Sequence, residues 1–250
     1  MCNEEQIRME WKKQLAIDFN CTMEDLDSKE NVITVAKNNQ GQRMYTRQKA
    51  FFSMVTLGKN TVLSADEEIH EWLRQWIAEK NGIWLFEHSY LMELEMELQK
   101  YRKKLGQSHH MFLPKVEIKE PTIDFELRWF EQKEIMQLYG QETFSNALCE
   151  KFLPQRPDIL AVGAMQEEKI IGLAGCSADT ALFWQIGIDV LPAYRGMGIG
   201  TKLVQLLKNE VFRRGVIPFY GTSLSNIHSW NIALNCGFYP AWVEIETVEE

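Results

Sequence analysis

Val190-Leu191-Pro192-Ala193-Tyr194-Arg195-Gly196-Met197-Gly198-Ile199-Gly200-Thr201 decides how this chain is read. Before it, Phe183 to Val190 is apolar enough to be a strand. After it, Gly198 to Arg214 is an amphipathic helix, with Leu203, Leu206, Leu207 and Val211 on one face and Gly215 as its stop. A strand, a glycine turn and a helix start together make an anion site. The first amides of a helix lack partners, and its dipole favours negative charge there. Glycines let phosphate oxygens reach the backbone with no Cβ in the way. Arg195 adds a charge-assisted donor.

Three phosphate loops compete for this stretch. A Walker loop ends Gly-Lys-Ser/Thr, whereas Gly200 is followed by Thr201 and then Lys202. The dinucleotide fingerprint is GxGxxG, whereas Gly196, Gly198 and Gly200 give GxGxG, late in the chain and after antiparallel-looking strands. Arg-x-x-Gly-x-Gly, Arg195 to Gly200, resembles the acyl-CoA pyrophosphate loop of the GCN5-related N-acetyltransferase (GNAT) superfamily. Val190-Leu-Pro192 before the loop, Asn226 and Ser229 after it, and Gly237-Phe238 beyond extend the resemblance. So does the element order βααβββαβαβ over residues 120–250. The stretch looks like a bacterial branch of that superfamily.

The resemblance implies an α/β (α+β) fold, a mixed and mostly antiparallel sheet flanked by helices, preceded by a smaller α+β domain. It implies that two neighbouring strands splay apart at a bulge near Ile188 to Val190, where a pantetheine arm lies. Acetyl-CoA is then the cosubstrate. Its pyrophosphate rests on Arg195, Gly196, Met197, Gly198, Ile199, Gly200 and Thr201, with Ile188, Val190, Asn226 and Ser229 as further contacts. The acceptor is a primary amine on a small molecule or a protein, attacking the thioester directly.

Two departures stand out. The family's common base, a Glu, would fall at Trp184 or Gln185, and neither is a base. Asp189 is the only carboxylate on this strand and the candidate in its place, although alternation sets it opposite Ile188 and Val190. The family's usual acid, a Tyr, falls at Ala233, which leaves Ser229 as the candidate there. Asn226 reads equally well as a helix cap. A non-catalytic acyl-CoA-binding or regulatory protein is the main alternative, and a nucleotide-binding module the second.

The rest of the chain bounds these readings. Its 250 residues are 45% hydrophobic and 25% charged, with net charge −8, which argues against disorder and against nucleic-acid or anionic-membrane binding. Five cysteines without a CxxC pair fit reduced thiols in a cytoplasm. No apolar run is long enough for a membrane span, and no metal site is expected, His109-His110 included. The boundary is placed near the two prolines of residues 106–121, giving domains 1–117 and 118–250. Residues 1–120 hold 17 basic and 19 acidic side chains, and residues 121–250 hold 10 and 16, so the acidity lies in the second domain. The first domain carries no chemical motif and resembles a degenerate GNAT-like half. Ser64 to Glu67 reads as a capping box, Ile83 to Phe86 as a strand and Tyr90 to Leu105 as a helix. Only 12 residues follow Phe238, one strand where the resembled fold has two. The uncovered edge calls for the first domain or a second subunit, which admits a homodimer.

Overall fold

A computed structural model of the chain describes residues 3–44, 50–140 and 142–249. Cys2 lies outside them. The chain forms two units: Glu5–Met111 with Ala241–Glu250, and Phe112–Pro240 with residues 3–4. The division expected at 117/118 therefore falls at 111/112, and the tail from Ala241 counts with the first unit. Pairing is the reason. In the last strand, Val243 to Glu246 pair antiparallel with Ser53 to Thr56, and Thr247 to Glu249 with Lys103 to Leu105.

The first unit holds α1 (Glu4–Asp18), α2 (Met23–Asp27), β1 (Val32–Val35), β2 (Phe52–Thr56), β3 (Thr61–Ala65), α3 (His70–Ile77), α4 (His88–Leu98) and β4 (Lys103–Leu105). Its core joins Phe52, Met54 and Leu63 of the sheet to Leu73, Trp76, Leu94 and Leu98 of the helices. A second anchor is ionic. Arg43 Nε lies 2.6 Å from Asp18 Oδ2 and its Nη2 2.8 Å from Glu244 Oε2, with the guanidinium over the rings of Trp11 and Trp242.

Three local expectations change here. Ser64 is a buried strand residue, and Asp66 caps the following turn by accepting the Glu68 amide at 3.1 Å. The Ile83 to Phe86 run is a 3-10 turn, Gly82–Trp84, capped by Asn81. Gly82 is wedged against Asn31 and the Thr61 backbone, where a side chain would collide, and that wedge bends the chain. The last helix ends at Leu98, and Arg102 turns left-handed (φ 56°) to start β4.

β5 (His109–Pro114) runs from the first unit into the second. The second unit continues with β6 (Glu126–Glu131), α5 (Gln132–Ile135), β7 (Asp158–Gln166), β8 (Lys169–Ala178), β9 (Phe183–Val190), α6 (Ile199–Arg213), β10 (Ile217–Ser223) and α7 (Ile227–Asn235). β11 (Phe238–Glu249) starts here and ends in the first unit. β6 to β9 are successive antiparallel neighbours, and β10 joins β9 in parallel. α6 lays Leu203, Val204, Leu207 and Val211 on the sheet, against Val162, Ala174 and Ile186. Four fully buried aliphatic side chains, each worth about 2 kcal/mol, hold this helix down. Lys208 is buried on the same helix. Its Nζ donates to the Cys236 carbonyl at 2.7 Å, a cation at the C-terminus of α7.

Candidate active site

β9 and β10 pair over four registers, from Ile217 with Phe183 to Tyr220 with Ile186, and the pairing ends there. Both strands continue, β9 to Val190 and β10 to Ser223, leaving a gap between them. The opposite edge of β9 stays paired with β8 through Gly172 and Val190 in unbroken register. The bulge expected near Ile188 to Val190 is thus absent from this ladder, and the gap opens because β10 departs.

Backbone direction follows from one hydrogen bond. The Leu191 amide donates to Ile171 O at 2.9 Å, toward β8. Groups alternate along an antiparallel strand, so Asp189 and Gly187 also face β8, while Ile188 and Val190 present N–H and C=O to the gap. Val190 O accepts Arg195 Nε at 3.0 Å. The amides of Ile188 and Val190 and the Ile188 carbonyl remain to meet an extended ligand as a strand would.

The loop beyond β9 exposes backbone at a helix start. Gly196 and Gly198 sit at φ 80° and 76°, left-handed conformations that a side chain strains, with open space where a Cβ would stand. Gly198 is the N-cap of α6 and contributes no side chain to cap it; the first turn holds no acidic residue. Three links hold the loop in place. They are the Arg195 bond, Tyr194 Oη to Gln166 Oε1 at 2.5 Å, and Lys202 Nζ to Asp124 Oδ1 at 2.5 Å. Gly200 lets α6 approach β9, for a Cβ there would meet Ile232, Ile188 and Val190.

The acetyltransferase (GNAT) family model matches residues 125–238. Over these residues, just under half of the chain, the sequence is similar to the GNAT superfamily. No curated protein sequence matches it. Among solved structures it is similar to a GNAT-family acetyltransferase from Novosphingobium aromaticivorans at 11% identity, over 59% of this chain and 66% of that one (TM-score 0.47). It is also similar to a GCN5-related N-acetyltransferase-like protein from Streptococcus suis at 14%, over 79% and 83% (TM-score 0.48). A third is an acetyltransferase from Salmonella typhimurium solved with its cofactor acetyl-CoA, at 15%, over 50% and 92% (TM-score 0.36). The chain spans just under two thirds of the Novosphingobium protein's length.

Within the matched region, the candidate polar residues fall on two sides of the sheet. Asp189 faces away from α6. Its Oδ2 accepts the amides of Asn146 and Ala147 at 2.8 and 2.9 Å, and its Oδ1 takes the Asn146 side chain at 2.7 Å. Both oxygens are occupied by N–H donors, and the carboxylate ties the segment around residue 146 to the sheet. Gly175 and Gly187 make room, since a Cβ on either would collide with the Ala147 or Asn146 carbonyl. Gln185, where the family resemblance would put a base, accepts Arg156 Nη2 at 2.7 Å; Arg156 Nε in turn pairs with buried Asp179 at 2.9 Å.

On the α6 side, Asn226 Oδ1 accepts the Ser229 amide at 3.1 Å and caps α7. Ser229 Oγ lies 2.8 Å from Tyr220 Oη. Burial pushes the Tyr220 phenol up to about 12, while the bond to Ser229 pulls the other way. The structure thus links Tyr220 to Ser229, a connection the separate sequence positions do not reveal. Burial pushes the Cys236 thiol up to about 12 and the Cys149 thiol up to about 11, which disfavours their thiolates.

Proposed function

We propose that the chain is an acetyl-CoA-dependent N-acetyltransferase acting on a primary amine of a small molecule or a protein. One observation carries the reading. A strand edge with unpaired amides at Ile188 and Val190 runs directly into a helix start with two left-handed glycines. An extended pantetheine arm fits the first and a pyrophosphate the second. Acetyl-CoA supplies the acetyl thioester.

The chain's own groups then have these roles. Gly196 to Thr201 hold the pyrophosphate through the backbone, and Arg195 closes the loop onto Val190. The amides of Ile188 and Val190 align the thioester and stabilise negative charge as it develops on the carbonyl oxygen. Asn226 sets the start of α7 and Ser229 faces the leaving sulfur. Asp189 is a positioning residue, since its oxygens are spent on Asn146 and Ala147. In the transfer, the C–N bond forms, the C–S bond breaks, and the surplus proton of the amine ends on sulfur. Positioning supplies much of the rate in such a site.

Free thiols at Cys21, Cys149, Cys176 and Cys236 support a reducing, cytoplasmic setting. No helix among the described residues is long and apolar enough to cross a membrane. The occupied Asp189 and the Ala233 at the usual acid position also favour a second reading, an acyl-CoA-binding protein without turnover. Incubation with acetyl-CoA and a panel of amines, read by mass spectrometry, separates the two. Acetylated amine supports the enzyme, and tight acetyl-CoA binding without product across the panel supports the binding protein.

A further inference from the structure

We infer that Tyr220 positions the hydroxyl proton of Ser229 toward the sulfur of bound CoA, and that this pair takes the place of an acid on α7. The inference rests on the acetyl-CoA reading above. Tyr220 is the last residue of β10 that pairs with β9, so it marks the closed end of the gap. Its side chain is 1% exposed, bounded by the rings of Phe112 and Phe238, and its hydroxyl bonds Ser229 Oγ at 2.8 Å. A buried hydroxyl needs a partner, and Ser229 is the partner Tyr220 has.

Phenol is the better donor of the two and an alkyl hydroxyl the better acceptor. In the proposed pair Tyr220 donates, and Ser229 accepts with one lone pair. The Ser229 proton is then left to point elsewhere. Ser229 is half-buried in the first turn of α7, and Ala233, fully buried, lies one turn further along the same face. The proton thus has an open direction at the end of the gap where a thioester sulfur would lie. As the C–S bond breaks, charge grows on sulfur, and a donor already oriented by Tyr220 stabilises it without reorganising. Tyr220 itself keeps its proton, as its burial requires.

The test reads the thiol, not turnover. CoA is bound to the full chain and its thiolate is followed by ultraviolet absorbance against pH, for wild type, Tyr220→Phe, Ser229→Ala, Ser229→Thr and the Phe/Ala double variant. Wild type is expected to titrate bound thiol below free CoA. Tyr220→Phe and Ser229→Ala each move the titration up by about one pH unit, the worth of a hydrogen bond to a charged group. The double variant moves it no further than Ser229→Ala, and Ser229→Thr, which keeps the hydroxyl, restores it. A Tyr220→Phe protein that binds CoA with a wild-type titration overturns the inference. So does a Ser229→Ala protein that leaves the titration unmoved. Failure of wild type to bind CoA overturns the cofactor reading and the inference with it. Thermal melts of each variant identify a folding defect, and Ser229→Ala probes the pair from the more exposed side.

Discussion

Asp189 and Asn146 are joined twice: the Asn146 amide donates to Oδ2 at 2.8 Å, and its side chain to Oδ1 at 2.7 Å. The only carboxylate on β9 is therefore a clamp on the segment beneath the sheet. The same clamp covers the amide of Ala147, which is 4% exposed. Asp189→Ala is expected to cost about 1 kcal/mol, since it leaves the buried Ala147 amide without its acceptor while water reaches the exposed Asn146 donors. The melting temperature falls while acetyl-CoA affinity changes little. A collapse of turnover with an unchanged melt would instead make Asp189 a base.

In the proposed reaction, with no free carboxylate on β9, the amine has to arrive neutral. Below the amine's own pKa, the rate is then expected to rise about tenfold per pH unit. Two acceptors of different basicity provide the check. Profiles that shift with the amine fit the account, and a common inflection for both would reveal a titrating group of the protein.

The buried Arg43 cluster makes the first unit acid-sensitive. Burial pushes Glu244 up, but the Arg43 guanidinium outweighs it and holds the carboxyl below the ordinary Glu range. A carboxyl depressed in the folded state contributes stability in full above the unfolded pKa and loses it as pH falls through the folded one. Arg43→Met leaves Asp18 and Glu244 buried without their cation, at a cost of about 3–5 kcal/mol near neutral pH. Urea melts across pH should show that deficit narrowing toward acid, as Glu244 takes up a proton in the variant.

The β7–β8 turn carries strain that is simple to remove. Glu167 and Glu168 sit at φ 48° and 65°, both left-handed without glycine. Glu168→Gly is expected to stabilise the protein by about 1 kcal/mol and to raise the melting temperature, with acetyl-CoA binding unchanged.

The conformation of the glycine loop was legible because its determinants are local. Gly196 and Gly198 sit in a strand–turn–helix context within a dozen residues, and their positive φ angles are what that spacing predicts. Most of the element order of the second unit was legible for the same reason, except that the second of the two short helices expected before β7 is a 3-10 turn, Glu142–Phe144. What escaped is long-range. Nothing near Asp189 in the chain announces Asn146, and Tyr220 and Ser229 meet only once β10 and α7 pack. Ser64 and the Ile83 run misled because burial overrides local pattern. Ser64 is needed in a strand, and Gly82 bends the chain before an apolar run can extend.

The most direct measurement is a calorimetric titration of wild type and Gly198→Glu with acetyl-CoA, CoA, ATP and NAD. At φ 76° a Cβ strains the turn, and a carboxylate at the start of α6 repels a pyrophosphate. The account predicts micromolar-range binding of the two CoA species alone, abolished in a Gly198→Glu protein that still melts cooperatively. Binding of ATP or NAD in preference, or acetyl-CoA binding untouched by Gly198→Glu, would contradict it.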